Sequence, residues 1–198
     1  MNNNGTGHIV VISGPSGSGE STITKALLER LPARRLITAT TRAPRDGELE
    51  GVDYFFFAKE RFEEELKNGN IPEYSYISNR DTYYGTYRPE LARDLESGNV
   101  IIANTDIVGT KFFKEQFGAD TIFIAPESLE ILANRLRIRN PDMSEKELER
   151  RLDNAREEIE KEKPYYDYVI ENRDGKLSEA VDQAEAYIRE RLGTLKGR

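Results

Sequence analysis

Several residue types that mark particular functions are missing or rare in this chain of 198 residues. It has no cysteine, which excludes disulfide bonds and thiol catalysis and fits a reducing compartment, so a cytoplasmic location is expected. His8 is the only histidine, which argues against a histidine-based triad or a zinc site of histidine and cysteine. No long apolar run is present, so no membrane-spanning segment and no membrane partner are expected.

The balance of charge is acidic. Lysine and arginine number 29 and aspartate and glutamate 36, which gives a net charge of −7. Non-specific nucleic-acid binding depends on a basic surface that neutralises phosphates, so no nucleic-acid partner is expected. A local basic site for a nucleotide remains compatible with this composition.

Short apolar runs alternate with helical patterns along most of the chain. Runs that begin at residues 8, 35, 100, 120 and 168 predict a five-stranded, mostly parallel sheet with helices on both faces. The aromatic-rich block at about 40–87 breaks this alternation and predicts an inserted lobe, and a polar stretch at about 139–150 predicts a short lid. The predicted helices are 21–31, 59–68, 89–97, 108–116, 128–139, 144–162 and 177–192.

The most informative motif follows the first predicted strand. Gly14, Gly19 and Ser21 match the phosphate-binding pattern G-x-x-x-x-G-K-[ST], in which glycines let backbone N–H groups surround a phosphate at a helix N-terminus. The serine hydroxyl of this pattern binds Mg²⁺. The segment predicts an ATP site made of Gly14, Pro15, Ser16, Gly17, Ser18, Gly19, Glu20, Ser21 and Thr22, with Ser21 as the metal ligand.

One position of this motif departs from the pattern. The lysine that normally reaches the β- and γ-phosphates is replaced by Glu20, which puts an anion beside a polyanion. Lys25 lies five residues further along the predicted helix, about 7.5 Å along its axis, so its side chain is expected to point away from the phosphates. Glu20 therefore predicts weaker ATP binding and a lower rate of phosphoryl transfer.

A second set of residues is suited to holding another phosphate. Arg42 and Arg45 lie three residues apart in a loop stiffened by Pro44, and an arginine fork binds phosphate oxygens bidentately. The runs Gly51–Tyr54 and Tyr83–Thr86 follow. Together with the loop at Gly14–Ser21, Asp106 with Gly109, the pair Arg139 and Arg151, and the tail 168–172, these segments resemble guanylate kinases over about residues 8–192.

The resemblance implies a fold, a reaction and its substrates. The fold would be the three-layer α/β type of phosphate-loop nucleotidases, with a core at about 8–39 and 88–192, a GMP-binding lobe at about 40–87 and the lid. The reaction would be Mg²⁺-dependent transfer of the γ-phosphoryl group of ATP to GMP, or dGMP, in purine nucleotide metabolism. The protein would act as a monomer or homodimer.

The resemblance also assigns roles to individual residues. Arg42, Arg45, Tyr54 and Tyr84 would hold the GMP phosphate. Glu73 would accept hydrogen bonds from the guanine N1–H and 2-amino group, while Thr38 and Thr86 would contact the O6 edge. The catalytic group would comprise Arg42, Asp106 near the transferred phosphoryl group, lid arginines Arg139 and Arg151, and the departure Glu20; Asp106 would also contact GMP and Asn172 would contact ATP.

Two further departures and two other functions complete the sequence reading. Asn104 occupies a position where the family usually has an acid, and Thr38 replaces a common serine while keeping the hydroxyl. Glu20 favours a different class of protein, a catalytically silent guanylate-kinase-like module that binds nucleotide or peptide, whereas Arg42, Arg45, Tyr54 and Tyr84 favour the enzyme. A kinase for another nucleotide or for a sugar phosphate is the third alternative.

Overall fold

The computed structural model of this chain describes residues 7–196. The strands are β1 His8–Ser13, β2 Ala33–Arg35, β3 Ala39–Thr40, β4 Phe55–Phe56, β5 Tyr74–Ile77, β6 Thr82–Gly85, β7 Val100–Asn104, β8 Asp120–Pro126 and β9 Tyr168–Asn172. The α-helices are α1 Glu20–Arg30, α2 Lys59–Lys67, α3 Arg88–Glu96, α4 Ile107–Phe117, α5 Leu129–Arg139, α6 Glu145–Glu157 and α7 Leu177–Lys196. Within this range no helix has both the length and the hydrophobicity needed to cross a bilayer.

Five parallel strands form the main sheet, in the order β2-β7-β1-β8-β9. Val10 lies opposite Asp120, Ala33 opposite Val100, and Ile122 opposite Tyr168. The central strands are mostly apolar and are buried along nearly all of their length, as expected for a parallel sheet covered on both faces. The predicted α/β class and five-stranded sheet are confirmed.

The chain folds into two compact units. Of the described residues, 7–9 and 33–119 belong to the first unit and 10–32 and 120–196 to the second. The first unit contains the pair β2 and β7 and a second sheet of order β4-β3-β6-β5. The boundaries predicted for a core, an inserted lobe and a lid stay predictions.

One predicted strand of the first unit is divided in two. The apolar run that begins at residue 35 predicts a single strand over 35–39, but β2 ends at Arg35 and β3 begins at Ala39. The N–H of Leu36 still donates to the Ile102 carbonyl at 2.9 Å, after which the chain leaves the main sheet. Ala39 and Thr40 pair with β4 and β6 instead, because Ala39 packs into a separate apolar cluster with Phe57, Phe62 and Ile71.

In the second unit, α5 and α6 pack through a small apolar cluster that includes Leu132, Leu136 and Leu148. The helix predicted over 144–162 is shorter at both ends. Ser144 is its N-cap, accepting the Glu147 N–H at 3.2 Å. The regular α-helix stops at Glu157, and the chain continues through a wider π-helical turn at Glu158–Glu162.

Candidate active site

The second unit contains the predicted phosphate-binding loop between β1 and α1. A Cβ atom on Gly14 would lie 2.3 Å from the Ile124 carbonyl oxygen, so this position requires glycine. Gly19 has φ +102° and is the N-cap of α1, and a Cβ atom there would lie 2.3 Å from Nδ2 of Asn172. The glycine spacing read from the sequence therefore corresponds to backbone that runs close to its neighbours.

Asn172, predicted to contact ATP, forms a hydrogen bond with the backbone of the phosphate-binding loop. It is the last residue of β9, is buried, and its Nδ2 donates to the Ser18 carbonyl at 2.7 Å. Its own carbonyl accepts from Nη2 of Arg135 at 3.1 Å. The hydroxyl of Ser18 is buried without a hydrogen-bond partner among the described residues. Asn172 thus fixes the loop's shape through the backbone.

A pocket of about 350 Å³ opens beside this loop. It brings together seven of the predicted site residues, while Gly14, Pro15, Ser16 and Ser18 do not line it. Five further residues line it that the sequence did not single out. The predicted members are Gly17, Gly19, Glu20, Ser21, Thr22, Arg139 and Asn172, and the additional ones are Arg135, Arg173, Asp174, Gly175 and Leu177.

The arginines of α5 and α6 have different surroundings. Arg139 is exposed at the end of α5 and lines the pocket. Arg151 does not line it, and its Nε donates to Glu147 at 2.9 Å. Arg150 and Arg151 together lower the pKa of Glu147 to about 2. Arg135 was missed as a site residue, although its spacing of four from Arg139 places both on one helix face.

Glu20 is the first residue of α1 and is half-buried in the pocket lining. A carboxylate in the first turn interacts favourably with the helix dipole. The same carboxylate opposes any phosphate bound at that N-terminus. The residue therefore favours the helix and disfavours an anionic ligand.

We expect Gly19→Ala to lower the free energy of unfolding by about 2–3 kcal/mol, since the new Cβ would displace the Asn172 amide and strain the backbone. Urea denaturation measures this change. Gly118→Ala is the matched control, because Gly118 also has positive φ, +63°, but has open space around its Cβ position. Equal losses in the two variants would contradict the importance of the Asn172 contact.

In the first unit, Arg42 is the centre of the second predicted site. Its Nη1 and Nη2 donate to the two carboxylate oxygens of Glu48 at 2.7 and 2.9 Å, and Nη1 also donates to the Ala43 carbonyl at 2.7 Å. The guanidinium carbon lies 5.2 Å from the centre of the Tyr54 ring and 5.7 Å from that of Phe56. Arg42 is thus held on an aromatic surface.

The structure brings Tyr54 and Tyr84 to Arg42. The two rings meet edge to face with centroids 6.1 Å apart, and a hydrogen bond with Tyr84 contributes to raising the pKa of Arg42, after the larger effect of Glu48. Arg45 is exposed, and its backbone N–H donates to Glu48 at 2.7 Å. Arg42, Tyr54 and Tyr84 therefore lie together, in an arrangement suited to an anionic ligand.

Glu73 and Thr86 form the predicted base-reading pair. Oε1 of Glu73 accepts from the Thr86 hydroxyl at 2.6 Å and from the Thr86 N–H at 3.0 Å. Removal from water raises the pKa of Glu73, hydrogen bonds from Thr86 oppose that shift, and the charge of Asp106 adds to it. Thr38 is half-buried, and its carbonyl accepts from the Phe55 N–H at 2.9 Å.

Asp106 lies at the end of β7, just past Asn104, and is the N-cap of α4. Its Oδ1 accepts from the N–H groups of Val108 and Gly109 at 3.0 and 3.2 Å. A Cβ atom on Gly109 would lie 2.1 Å from the Thr105 hydroxyl, which explains the glycine there. The Asp106 side chain is exposed, and its charge contributes to raising the pKa of Glu73. The two carboxylates are therefore close enough for their charges to interact.

Two residues near Arg42 and Tyr54 were not predicted as site residues from the sequence. Glu48 binds Arg42, and the only signal for it was an acid three residues after Arg45 in the turn. Arg35 lies 5.9 Å from the centre of the Tyr54 ring and 3.8 Å from a carboxylate oxygen of Asp53, across a sequence distance that gave no local pattern.

The donors available for Mg²⁺ are consistent with an ion held mainly by nucleotide. The pocket beside the loop offers the Ser21 hydroxyl and the Glu20 carboxylate, and oxygen is the ligand type that Mg²⁺ prefers. Across residues 7–196 no cluster of three or more histidine, cysteine or acidic side chains is arranged to hold a metal without a nucleotide. The residues fit an ion that shares its ligands with phosphate oxygens.

Comparisons with known proteins agree over nearly the whole chain. The model of the guanylate kinase family matches residues 6–191. Guanylate kinase from Fusobacterium nucleatum subsp. nucleatum is 41% identical over 167 residues, which cover 84% of this chain and 89% of that protein. The Clostridioides difficile enzyme is 42% identical over 174 residues, covering 87% and 83%.

A solved structure agrees with these sequences. The crystal structure of guanylate kinase from Anaplasma phagocytophilum is 31% identical and superposes with a TM-score of 0.75, covering 95% of this chain and 87% of that one. The chain therefore belongs to the guanylate kinase family and is a nucleoside monophosphate kinase, a phosphotransferase.

Proposed function

We propose that this chain transfers the γ-phosphoryl group of ATP to GMP, giving ADP and GDP, at a rate reduced by Glu20. The observation that carries the proposal is the intact acceptor site of the first unit. There Arg42, Tyr54 and Tyr84 lie together, and Glu73 is fixed by Thr86.

The acceptor site would hold GMP at both ends. Arg42, Arg45, Tyr54 and Tyr84 would bind the phosphate dianion and keep it positioned for attack. A phosphate oxygen of GMP forms the new bond to the γ-phosphorus while the bond from that phosphorus to the β-bridging oxygen breaks. Because the GMP phosphate is already an anionic nucleophile, the reaction needs no strong general base.

Recognition of guanine would depend on the ionised carboxylate of Glu73. Its oxygens accept from the N1–H and 2-amino groups, a donor pair that adenine lacks. The hydroxyl and N–H of Thr86 both donate to Oε1 of Glu73 and so orient the carboxylate. A buried carboxylate facing the wrong base would lose hydrogen bonds, which is costly away from water.

The donor site would lie in the pocket of the second unit. Backbone N–H groups of the loop would bind the ATP phosphates, and Ser21 would hold Mg²⁺, which neutralises phosphate charge when bound. Arg139 lines the pocket and would contact the same phosphates, whereas Arg151 would first have to exchange its contact with Glu147. Glu20 removes one cation that would stabilise the transferring group.

Several finer features belong to the same proposal. They are a GMP-binding lobe at about 40–87, a lid at about 139–150, a role for Asp106 near the transferred group, a monomeric or homodimeric state and a cytoplasmic location. Acceptance of dGMP follows from a site whose predicted contacts fall on the phosphate and the base, with none on the ribose 2′-hydroxyl.

The proposal is tested by measuring ADP release with ATP, Mg²⁺ and each of GMP, dGMP, AMP, UMP and CMP. We expect GMP and dGMP to be phosphorylated and the other nucleotides to react far more slowly. Calorimetry with GMP alone tests the acceptor site independently of turnover. Tight GMP binding without turnover, even after Glu20→Lys, would instead support the silent binding module.

A further inference from the structure

We propose that Glu48 is a positioning residue for the acceptor phosphate, which it serves by fixing the orientation of the Arg42 guanidinium. This inference rests on the proposed function of the acceptor site. The two side chains form an end-on bidentate ion pair, with N–O distances of 2.7 and 2.9 Å, and only 14% and 19% of their side-chain surfaces are exposed. Two parallel hydrogen bonds fix the relative orientation of the two groups more strictly than a single surface contact does.

The pattern of hydrogen bonds determines which edge of Arg42 is left for a ligand. Glu48 takes one N–H from each terminal nitrogen, and the Ala43 carbonyl takes another from Nη1. Apart from these contacts, the Nε–H and the second Nη2–H lie along the side edge of the guanidinium, and the Tyr84 hydroxyl also hydrogen-bonds this group. Among the described residues Nε has no hydrogen-bond partner although it is buried. A phosphate would therefore approach Arg42 from one defined edge, together with the Tyr84 hydroxyl.

Glu48 and the aromatic rings restrict different motions of Arg42. The rings of Tyr54 and Phe56 limit how the guanidinium plane tilts, and Glu48 limits its rotation within that plane. The same carboxylate accepts the Arg45 N–H at 2.7 Å, and the Glu48 N–H donates to the Arg45 carbonyl at 3.0 Å. One side chain thus fixes the backbone that carries the second predicted phosphate-binding arginine.

Positioning and simple electrostatics predict opposite effects of removing this charge. Glu48 is an anion close to a site for a dianion, so charge alone predicts that Glu48→Gln would tighten GMP binding. Positioning predicts the reverse, because an amide can accept only one N–H from Arg42 and turns its own donors toward the other. The ion pair with Arg42 lowers the pKa of Glu48 to about 2, so the residue is charged at neutral pH.

The first experiment is calorimetric titration of GMP and of ATP into the parent, Glu48→Gln and Glu50→Gln proteins. We expect Glu48→Gln to weaken GMP binding about tenfold and to leave ATP binding unchanged. Glu50→Gln is the matched control, since Glu50 lies in the same loop and accepts only a backbone N–H, from Phe56. Unchanged or tighter GMP binding by Glu48→Gln would overturn the inference.

Two further variants test whether Glu48 acts through Arg42. Glu48→Asp keeps the charge but is too short for the end-on pair, so it should also weaken GMP binding. In an Arg42→Lys background, Glu48→Gln should have no further effect, because lysine has no fork to orient. A full additional loss in that background would overturn the inference. If Arg42→Lys alone leaves GMP binding intact, the proposed phosphate site itself is wrong.

Discussion

Glu20→Lys is expected to raise kcat/KM for ATP by about 10²- to 10³-fold, comparable to the effect of one preorganised charge or donor on a transition state. The substitution removes an anion from the pocket beside the phosphate loop and places a cation at the N-terminus of α1. Steady-state ADP release at saturating GMP measures the change.

The same substitution should slightly destabilise the fold. A cation in the first turn of α1 opposes the helix dipole that Glu20 favours, so the free energy of unfolding should fall by about 0.5–1 kcal/mol. Glu20→Gln removes the repulsion without adding a cation and should give a smaller gain in rate. Glu29→Lys, on the same helix and exposed, controls for the change in net charge. If Glu20→Lys is no faster than the parent, another group already supplies the missing charge.

Glu73→Gln should reduce kcat/KM for GMP by about 10²-fold or more, because a buried site built for two donors rejects a poor match strongly. The amide can accept only one of the two guanine N–H groups and presents its own donor to the other. The measurement is the ratio of kcat/KM values for GMP and AMP, which should fall sharply. Glu64→Gln, exposed on α2, should leave that ratio unchanged.

The pH dependence of GMP binding gives an independent check. Burial raises the pKa of Glu73, and GMP needs the ionised form, so affinity should be full above that pKa and fall as the pH drops through it. The fall should begin at a higher pH than an ordinary glutamate would give. The GMP phosphate also titrates, near pH 6. Subtracting the profile of Glu73→Gln leaves the part due to the carboxylate, and parallel profiles would contradict this role.

The features that could be read from the sequence are those encoded locally. The spacing of Gly14 and Gly19 indicated the phosphate loop because close backbone approach tolerates no other residue there. The N-termini of α5 and α6 were predicted to within one residue. Ser128 and Ser144 mark them because each side chain accepts a hydrogen bond from the backbone N–H three residues later. The parallel sheet followed from apolar runs separated by helices.

The features that escaped depend on distant or competing contacts. The chain leaves the main sheet after Leu36 because Ala39 packs into a second apolar cluster, and no local sequence pattern indicates that packing. In the sequence, Arg135 is one of many arginines on a charged helix. Its role depends on a hydrogen bond to the carbonyl of Asn172, which lies 37 residues later. Glu48 was visible only as an acid in a polar turn, and its pairing with Arg42 is a matter of side-chain geometry.

The bond between Asn172 and Ser18 joins residues that are 154 positions apart. During synthesis the glycine-rich turn leaves the ribosome early, but the amide that supports it belongs to the last strand of the sheet. The phosphate-binding loop therefore cannot reach its final conformation until nearly the whole polypeptide has been made. Acquisition of ATP affinity by nascent chains would mark the moment at which the carboxyl-terminal strand docks.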